Sequence, residues 1–184
     1  MNLTTSLPMQ SAIVFGAGSW GTALAGLLQE RGLEVQFWGR DEALMQEIRE
    51  TRRNPRYLPG LHLAEGITVR SDVKALKPAD MLVFVVPSKG IRETAKLIAG
   101  TPLAAQAKVA ITCAKGIELH TGRRMSEILS EEMPGSTVAV LTGPNHAEEV
   151  SQRLATAAVV ACADEALARE VQACFTLPWF RSYT

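Results

Sequence analysis

Three glycines spaced as Gly16-x-Gly18-x-x-Gly21 follow the apolar run Ala12-Ile13-Val14-Phe15 and open into Trp20-Gly21-Thr22-Ala23-Leu24-Ala25. Gly16 lets the chain turn sharply out of a strand, Gly18 lets the backbone approach a ligand with no Cβ in the way, and Gly21 lets a helix lie close on a sheet. The unpaired N–H groups of that helix's first turn, with the helix dipole, favour a pyrophosphate. Glycine-rich turns also join strands to helices for packing alone. A strand before and a helix after is the setting that the dinucleotide fingerprint requires.

The next strand, Glu34 to Trp38, ends in Gly39-Arg40-Asp41. An acidic residue at that point accepts both hydroxyls of an NAD ribose, whereas an arginine accommodates a 2′-phosphate. Arg40 is placed to stack on adenine or pair with a phosphate, which leans toward NADPH over strict use of NAD. The alternative is a solvated arginine ahead of a helix capped by Asp41. A lysine also stands at a strand end, in Ala114-Lys115-Gly116-Ile117-Glu118 after the buried run Lys108 to Cys113. Its ammonium would suit a developing alkoxide or a substrate phosphate, although an isolated lysine is more often a surface charge. His146 reads as a first-turn residue, His62 as a loop residue and His120 as the start of a helix. Asp80 lies at the amino end of its strand, away from any site.

These residues need a scaffold. Helical spacing predicts helices over Trp20–Arg31, Asp41–Arg52, Ile91–Ala99, Thr121–Glu132, His146–Arg153 and from Asp164 to Phe175, with Asn145 and Glu148 forming a capping box and a brief helix after Ser71 or Asp72. Strands are expected at Thr68–Arg70, Asp80–Ser88, Thr137–Leu141, Thr156–Ala161 and Trp179–Tyr183. The prolines and glycine of Asn54-Pro55-Arg56-Tyr57-Leu58-Pro59-Gly60 should break any regular element. The continuous apolar run at Met81 to Val86 fits a strand covered on both faces. Strands alternating with helices and no linker make residues 1–184 one α/β domain, a doubly wound, mostly parallel, Rossmann-like sheet with helices on both faces. Ligands then bind beyond the carboxyl ends of the strands, at Gly16–Gly21, Gly39–Arg40, Pro87–Lys89, Ala114–Glu118 and Gly143–Ala147.

With 184 residues, one sizeable core is expected. The 19 basic and 19 acidic residues balance, so nothing in the net charge points to nucleic acid or an anionic membrane. Cys113, Cys162 and Cys174 are an odd number without metal-binding spacing, as for buried free thiols in a reducing compartment. Met1–Gln10 has neither the basic start nor the apolar region of a signal peptide, and no run reaches membrane-spanning length. The cytoplasm follows as the expected compartment.

Six segments together resemble the bacterial NAD(P)-dependent glycerol-3-phosphate dehydrogenases: Gly16 to Ala25, Trp38-Gly39-Arg40-Asp41, Asn54 to Gly60, Val85-Val86-Pro87-Ser88, Lys115-Gly116-Ile117-Glu118 and Gly143-Pro144-Asn145-His146-Ala147-Glu148-Glu149-Val150. The resemblance implies reversible hydride transfer between C2 of sn-glycerol 3-phosphate and a nicotinamide, feeding phospholipid synthesis, with NADP or NAD as cofactor, a small phosphorylated substrate and room for a homodimer of the full-length protein. It implies that Gly16, Gly18, Ser19, Trp20, Gly21, Arg40, Pro87 and Ala147 meet the cofactor, that Lys115 touches both cofactor and substrate, and that Gly143 and Asn145 lie at the substrate. Asn145-His146 departs from the Ser or Thr and Phe often found there. The family continues into a helical domain that carries a second lysine, so a chain ending at Thr184 is expected to bind a dinucleotide and catalyse little. Other Rossmann oxidoreductases, of the ketopantoate-reductase or 6-phosphogluconate type, lack the Lys115 and Gly143–Val150 motifs. A methyltransferase would want an acid in place of Gly39-Arg40, and a non-catalytic nucleotide sensor would need a partner domain.

Overall fold

A computed structural model of the chain describes residues 7–184; the part of the Met1–Gln10 reading that concerns residues 1–6 lies outside them. β1 (Ser11–Phe15) leads into α1 (Ser19–Glu30), β2 (Glu34–Trp38) and α2 (Glu42–Thr51). A small ribbon, β3 (Arg53–Asn54) and β4 (Leu58–His62), precedes β5 (Thr68–Arg70), a 3-10 turn at Val73–Ala75 and β6 (Met81–Phe84). There follow α3 (Ile91–Ile98), α4 (Pro102–Gln106), β7 (Val109–Thr112), α5 (Met125–Glu132), β8 (Val138–Thr142), α6 (Ala147–Ser151), β9 (Thr156–Cys162), α7 (Glu165–Phe175) and β10 (Phe180–Tyr183).

Eight strands form one sheet in the order β10-β9-β8-β7-β6-β1-β2-β5. From β5 to β8 every neighbouring pair is parallel, β9 runs antiparallel to β8, and β10 is parallel to β9. The chain winds outward from β1 through β2 to β5 and then returns to the other side of β1 as β6. The strand order therefore reverses between β1 and β6, which opens a crevice beyond their carboxyl ends.

Both faces of the central strands are buried. Ala12, Val14, Met81 and Val83 join a core with Leu24, Leu28, Met45 and Phe175 from α1, α2 and α7. Ile13, Phe15, Leu82 and Phe84 enter a second core with Ile91, Ile98 and Ile128 from α3 and α5. There Phe15 stacks on Phe84 at 5.1 Å between ring centroids and meets Trp38 edge-on at 5.8 Å. Two buried faces explain why these strands are apolar without alternation. On the second face, Ala157, Val159 and Ala161 of β9 and Tyr183 of β10 are exposed.

The expected doubly wound scaffold is present, with local corrections. The central strand runs from Met81 to Phe84 only, because the chain leaves the sheet at Val85 ahead of Pro87. Residues Arg53–Asn54 and Leu58–His62 form an antiparallel ribbon where no regular element was expected. A two-stranded ribbon consists of edge strands, which tolerate Pro59 and Gly60. The helix expected from Thr121 starts at Met125, since His120 and Gly122 take positive φ and Glu118 N donates to Arg123 O across a turn. His120 therefore begins no helix, and His62 closes β4 instead of lying in a loop. α4, with Pro102 in its first turn and Thr101 as its cap, was not foreseen. The helix after Asp72 shrinks to the 3-10 turn. Of the three free thiols only Cys174 is buried, Cys113 and Cys162 being half-buried. Desolvation of the sulfur pushes the Cys113 thiol far up and Cys174 to about 11, so neither is a ready nucleophile.

Asp80 holds the amino ends of the central strands together. Its Oδ2 accepts from Gln10 N at 2.7 Å and Ser11 N at 3.2 Å, and Lys108 Nζ stands 3.5 Å from its Oδ1. Partial burial alone would raise its pKa, but these donors bring it below the usual value. Replacing Asp80 by Ala removes the acceptor of one exposed and one partly buried backbone donor and should lower stability by about 0.5–1.5 kcal/mol in urea denaturation.

Candidate functional site

The turn between β1 and α1 is shaped by close approach. Gly16 takes φ +120°, and a Cβ there would lie 2.8 Å from the carbonyl carbon of Val85, where the chain leaves β6. A Cβ on Gly21 would fall inside the carbonyl oxygen of Gly16. Gly18 differs from both. It has an ordinary negative φ, and a Cβ added to it would meet nothing within 4 Å. The protein itself makes no demand for glycine at this position, so the missing side chain leaves room in front of the backbone. Gly18 is the N-cap of α1 without a side-chain cap bond, and α1 has no acidic residue in its first turn. The amino end of a 12-residue helix is thus left open at the crevice, which fits the pyrophosphate of a dinucleotide in charge and in space.

At the end of β2, Gly39 is buried against Ala17 and Met45, and Arg40 projects into solvent, 3.8 Å from Glu93 of α3. Asp41 caps α2 through Leu44 N and also accepts from Arg56 Nη1 at 2.7 Å. The Leu44 N–H and then the Arg56 guanidinium hold the Asp41 carboxyl below the usual range. Arg56, on the loop of the β3–β4 ribbon, is thereby held at Asp41, the residue after Arg40, a neighbour that sequence spacing did not reveal.

The loops after β6, β7 and β8 lie on the same edge. Pro87 introduces a 3-10 turn at Ser88–Gly90. Lys115 is exposed and its Nζ donates to Gly143 O at 3.2 Å, which joins the loop after β7 to that after β8. Asn145 does not cap α6, because its Nδ2 instead donates to Ala157 O at 2.6 Å, pinning the loop to β9. The N-cap is His146, without a side-chain cap bond, and the helix spans only Ala147–Ser151. Ala147 is 6% exposed, with its methyl group turned into the core.

The loop that carries Lys115 is held from behind by Arg92 of α3, which sequence reading missed entirely. Arg92 Nε and Nη2 each donate to the Glu118 carboxylate at 2.7 Å, Nη2 also reaches Glu131 at 3.1 Å, and Nη1 pairs with Glu132. One guanidinium thereby ties the Lys115-Gly116-Ile117-Glu118 segment to α3 and α5. Its signal was absent from local sequence because the partners stand 26 to 40 residues away.

A family model described as NAD-dependent glycerol-3-phosphate dehydrogenase N-terminus matches residues 11–168. The chain belongs to this family. It is 44% identical over 182 residues to a glycerol-3-phosphate dehydrogenase (NAD(P)+) of Streptomyces coelicolor, covering 97% of this chain and 53% of that relative. The enzyme of the same name from Moorella thermoacetica is 46% identical over 176 residues, which cover 95% of this chain and 52% of the relative. The crystal structure of glycerol-3-phosphate dehydrogenase from Coxiella burnetii superposes with a TM-score of 0.87 at 28% identity, over 95% of this chain and 53% of that one. The chain spans about half the length of the curated relatives it matches. Among the described residues no helix is long and apolar enough to cross a membrane.

The clasp on the Lys115-Gly116-Ile117-Glu118 segment depends on charge. The Arg92 guanidinium, followed by the Thr121 hydroxyl, holds Glu118 down to about 2, against 4.5 for a free carboxyl. A depressed carboxylate stabilises the fold fully above its unfolded pKa and loses that contribution as pH falls through its folded one. Glu118→Gln should therefore melt below the natural chain at pH 7, and the gap should close as pH falls from 4.5 toward 2, as thermal unfolding across that range would show.

Proposed function

We propose that this chain is the cofactor-binding half of an NAD(P)-dependent glycerol-3-phosphate dehydrogenase, with a lean toward NADPH. The observation that carries the proposal is the space in front of Gly18, which no packing in the protein requires, at the open amino end of α1 where the strand order reverses. When bound, the nicotinamide cofactor would accept or donate the hydride at C2 of sn-glycerol 3-phosphate. In this reading Gly16, Gly18, Ser19, Trp20 and Gly21 hold the pyrophosphate, Arg40 binds the 2′-phosphate, and Pro87 lines the crevice beside them. Lys115 sets a positive charge between cofactor and substrate. The Gly143 carbonyl that accepts from Lys115 steadies that charge, with Asn145 acting on the same loop through β9. Ala147 serves through its backbone, its methyl group being buried. Full activity needs the remaining half of the family's length, with its second lysine. The three unpaired cysteines support a reducing compartment, the cytoplasm.

Calorimetric titration of the chain with NADPH and NADH tests the reading. Gly18→Val, at an extended N-cap position with free space, should lower stability by no more than about 1 kcal/mol. It should weaken NADPH on the order of a hundredfold, about 2.7 kcal/mol. Arg40→Ala should weaken NADPH about tenfold more than NADH, the share of one charge-assisted phosphate contact. Unchanged NADPH affinity in Gly18→Val would overturn the placement of the pyrophosphate.

A further inference from the structure

Asn54 is fully buried, 37 residues away from the glycine turn in sequence, and its amide is spent on that turn. Nδ2 donates to Ala17 O at 2.9 Å and to Thr22 Oγ1 at 2.7 Å, while Oδ1 accepts from Tyr57 N at 3.2 Å. Thr22, itself fully buried, passes the bond on, its hydroxyl donating to Gly18 O at 2.8 Å. The direction of the relay is fixed: the Asn54 amide donates, the Thr22 hydroxyl accepts and donates, and the Gly18 carbonyl accepts. Two successive carbonyls of the turn, Ala17 and Gly18, are thereby held toward the protein interior.

In a trans peptide plane the N–H of the next residue points opposite to the carbonyl. Drawing the Ala17 and Gly18 carbonyls inward therefore turns the Gly18 and Ser19 N–H groups outward, into the space that the bare Gly18 leaves. Gly18 O also accepts from Thr22 N at 3.0 Å, the first helical bond of α1, so the relay adds a second hold there. At Ala17 O it is the Asn54 amide that restrains a peptide plane joined to a glycine, and without the relay more of the ordering would fall to the ligand. We infer that Asn54, acting through Thr22, is a positioning residue for dinucleotide binding: it sets the peptide planes of the glycine turn so that their N–H groups face the pyrophosphate before it arrives. The inference rests on the dinucleotide reading given above. It also accounts for the place of the β3–β4 ribbon, whose buried Asn54 anchors it on the turn while its loop carries Arg56 to Asp41 at the adenosine end.

The test separates the two ends of the cofactor in the natural chain and in two neutral, nearly isosteric variants, Thr22→Val and Asn54→Leu. Probes are NADPH, inorganic pyrophosphate for the turn, and adenosine 2′-monophosphate for the Arg40 end, each titrated calorimetrically beside a thermal melt. Thr22→Val breaks the relay while leaving the Asn54 bonds to Ala17 O and Tyr57 N in place. It should weaken NADPH and pyrophosphate about three- to tenfold and leave adenosine 2′-monophosphate within twofold. Asn54→Leu should show a larger loss of the same pattern. If Asn54→Leu fails to fold, Thr22→Val alone decides. Undiminished NADPH and pyrophosphate binding by Thr22→Val would overturn the inference and leave the cofactor reading standing, as would an equal loss of all three probes, which a general structural defect would give. Failure of the natural chain to bind NADPH would overturn both.

Discussion

Everything at the carboxyl edge of this sheet depends on one constraint: the amino end of α1 must come within van der Waals reach of the turn that precedes it and still leave its N–H groups unpaired. Unpaired backbone donors are costly inside a protein and harmless beside a polar ligand. The fold meets the constraint by treating the turn's carbonyls and its amides differently. The carbonyls of Ala17 and Gly18 are satisfied from within by Asn54 and Thr22, whereas the amino end of α1 is given no side-chain cap. A serine or aspartate cap at residue 18 would stabilise the helix and fill the space that Gly18 leaves open.

The loops across the crevice are held by a different kind of force. Lys115, Glu118 and their neighbours stand on surface loops, and what fixes them is the Arg92 guanidinium shared among three carboxylates. A bidentate arginine is directional and among the stronger surface pairs, yet it is partly solvated and screened by salt in a way that a buried amide network is not. The glycine turn and the lysine loop, about 100 residues apart in the chain, are thus rigid for different reasons.

The architecture could be read from sequence because its determinants are local or periodic. Apolar runs without alternation mark strands with two buried faces, Asp41 and Asp164 cap the helices that follow them, and the three glycines report the turn directly. What escaped reading depends on residues far apart. Arg92 looks like any solvent-facing residue of α3 until Glu118 is brought to it. Asn54 lies in a segment whose prolines argued only for a break, although that segment folds as a ribbon pinned beneath the glycine turn. Asn145 fits a capping box by spacing, but the carbonyl of Ala157 on β9 competes for its side chain and wins. In each case a tertiary partner overruled a local preference.

These two modes of support leave the two loops with different freedom. A turn held by the side chains of two fully buried residues, Asn54 and Thr22, is formed before any ligand arrives, so an anion bound there would need little reordering of the backbone. Lys115 is exposed and makes one 3.2 Å bond to a carbonyl, so its ammonium is free to exchange that partner for a ligand oxygen at little cost. The Arg92 clasp limits that adaptability to the lysine side chain, by keeping the backbone behind it tied to α3 and α5.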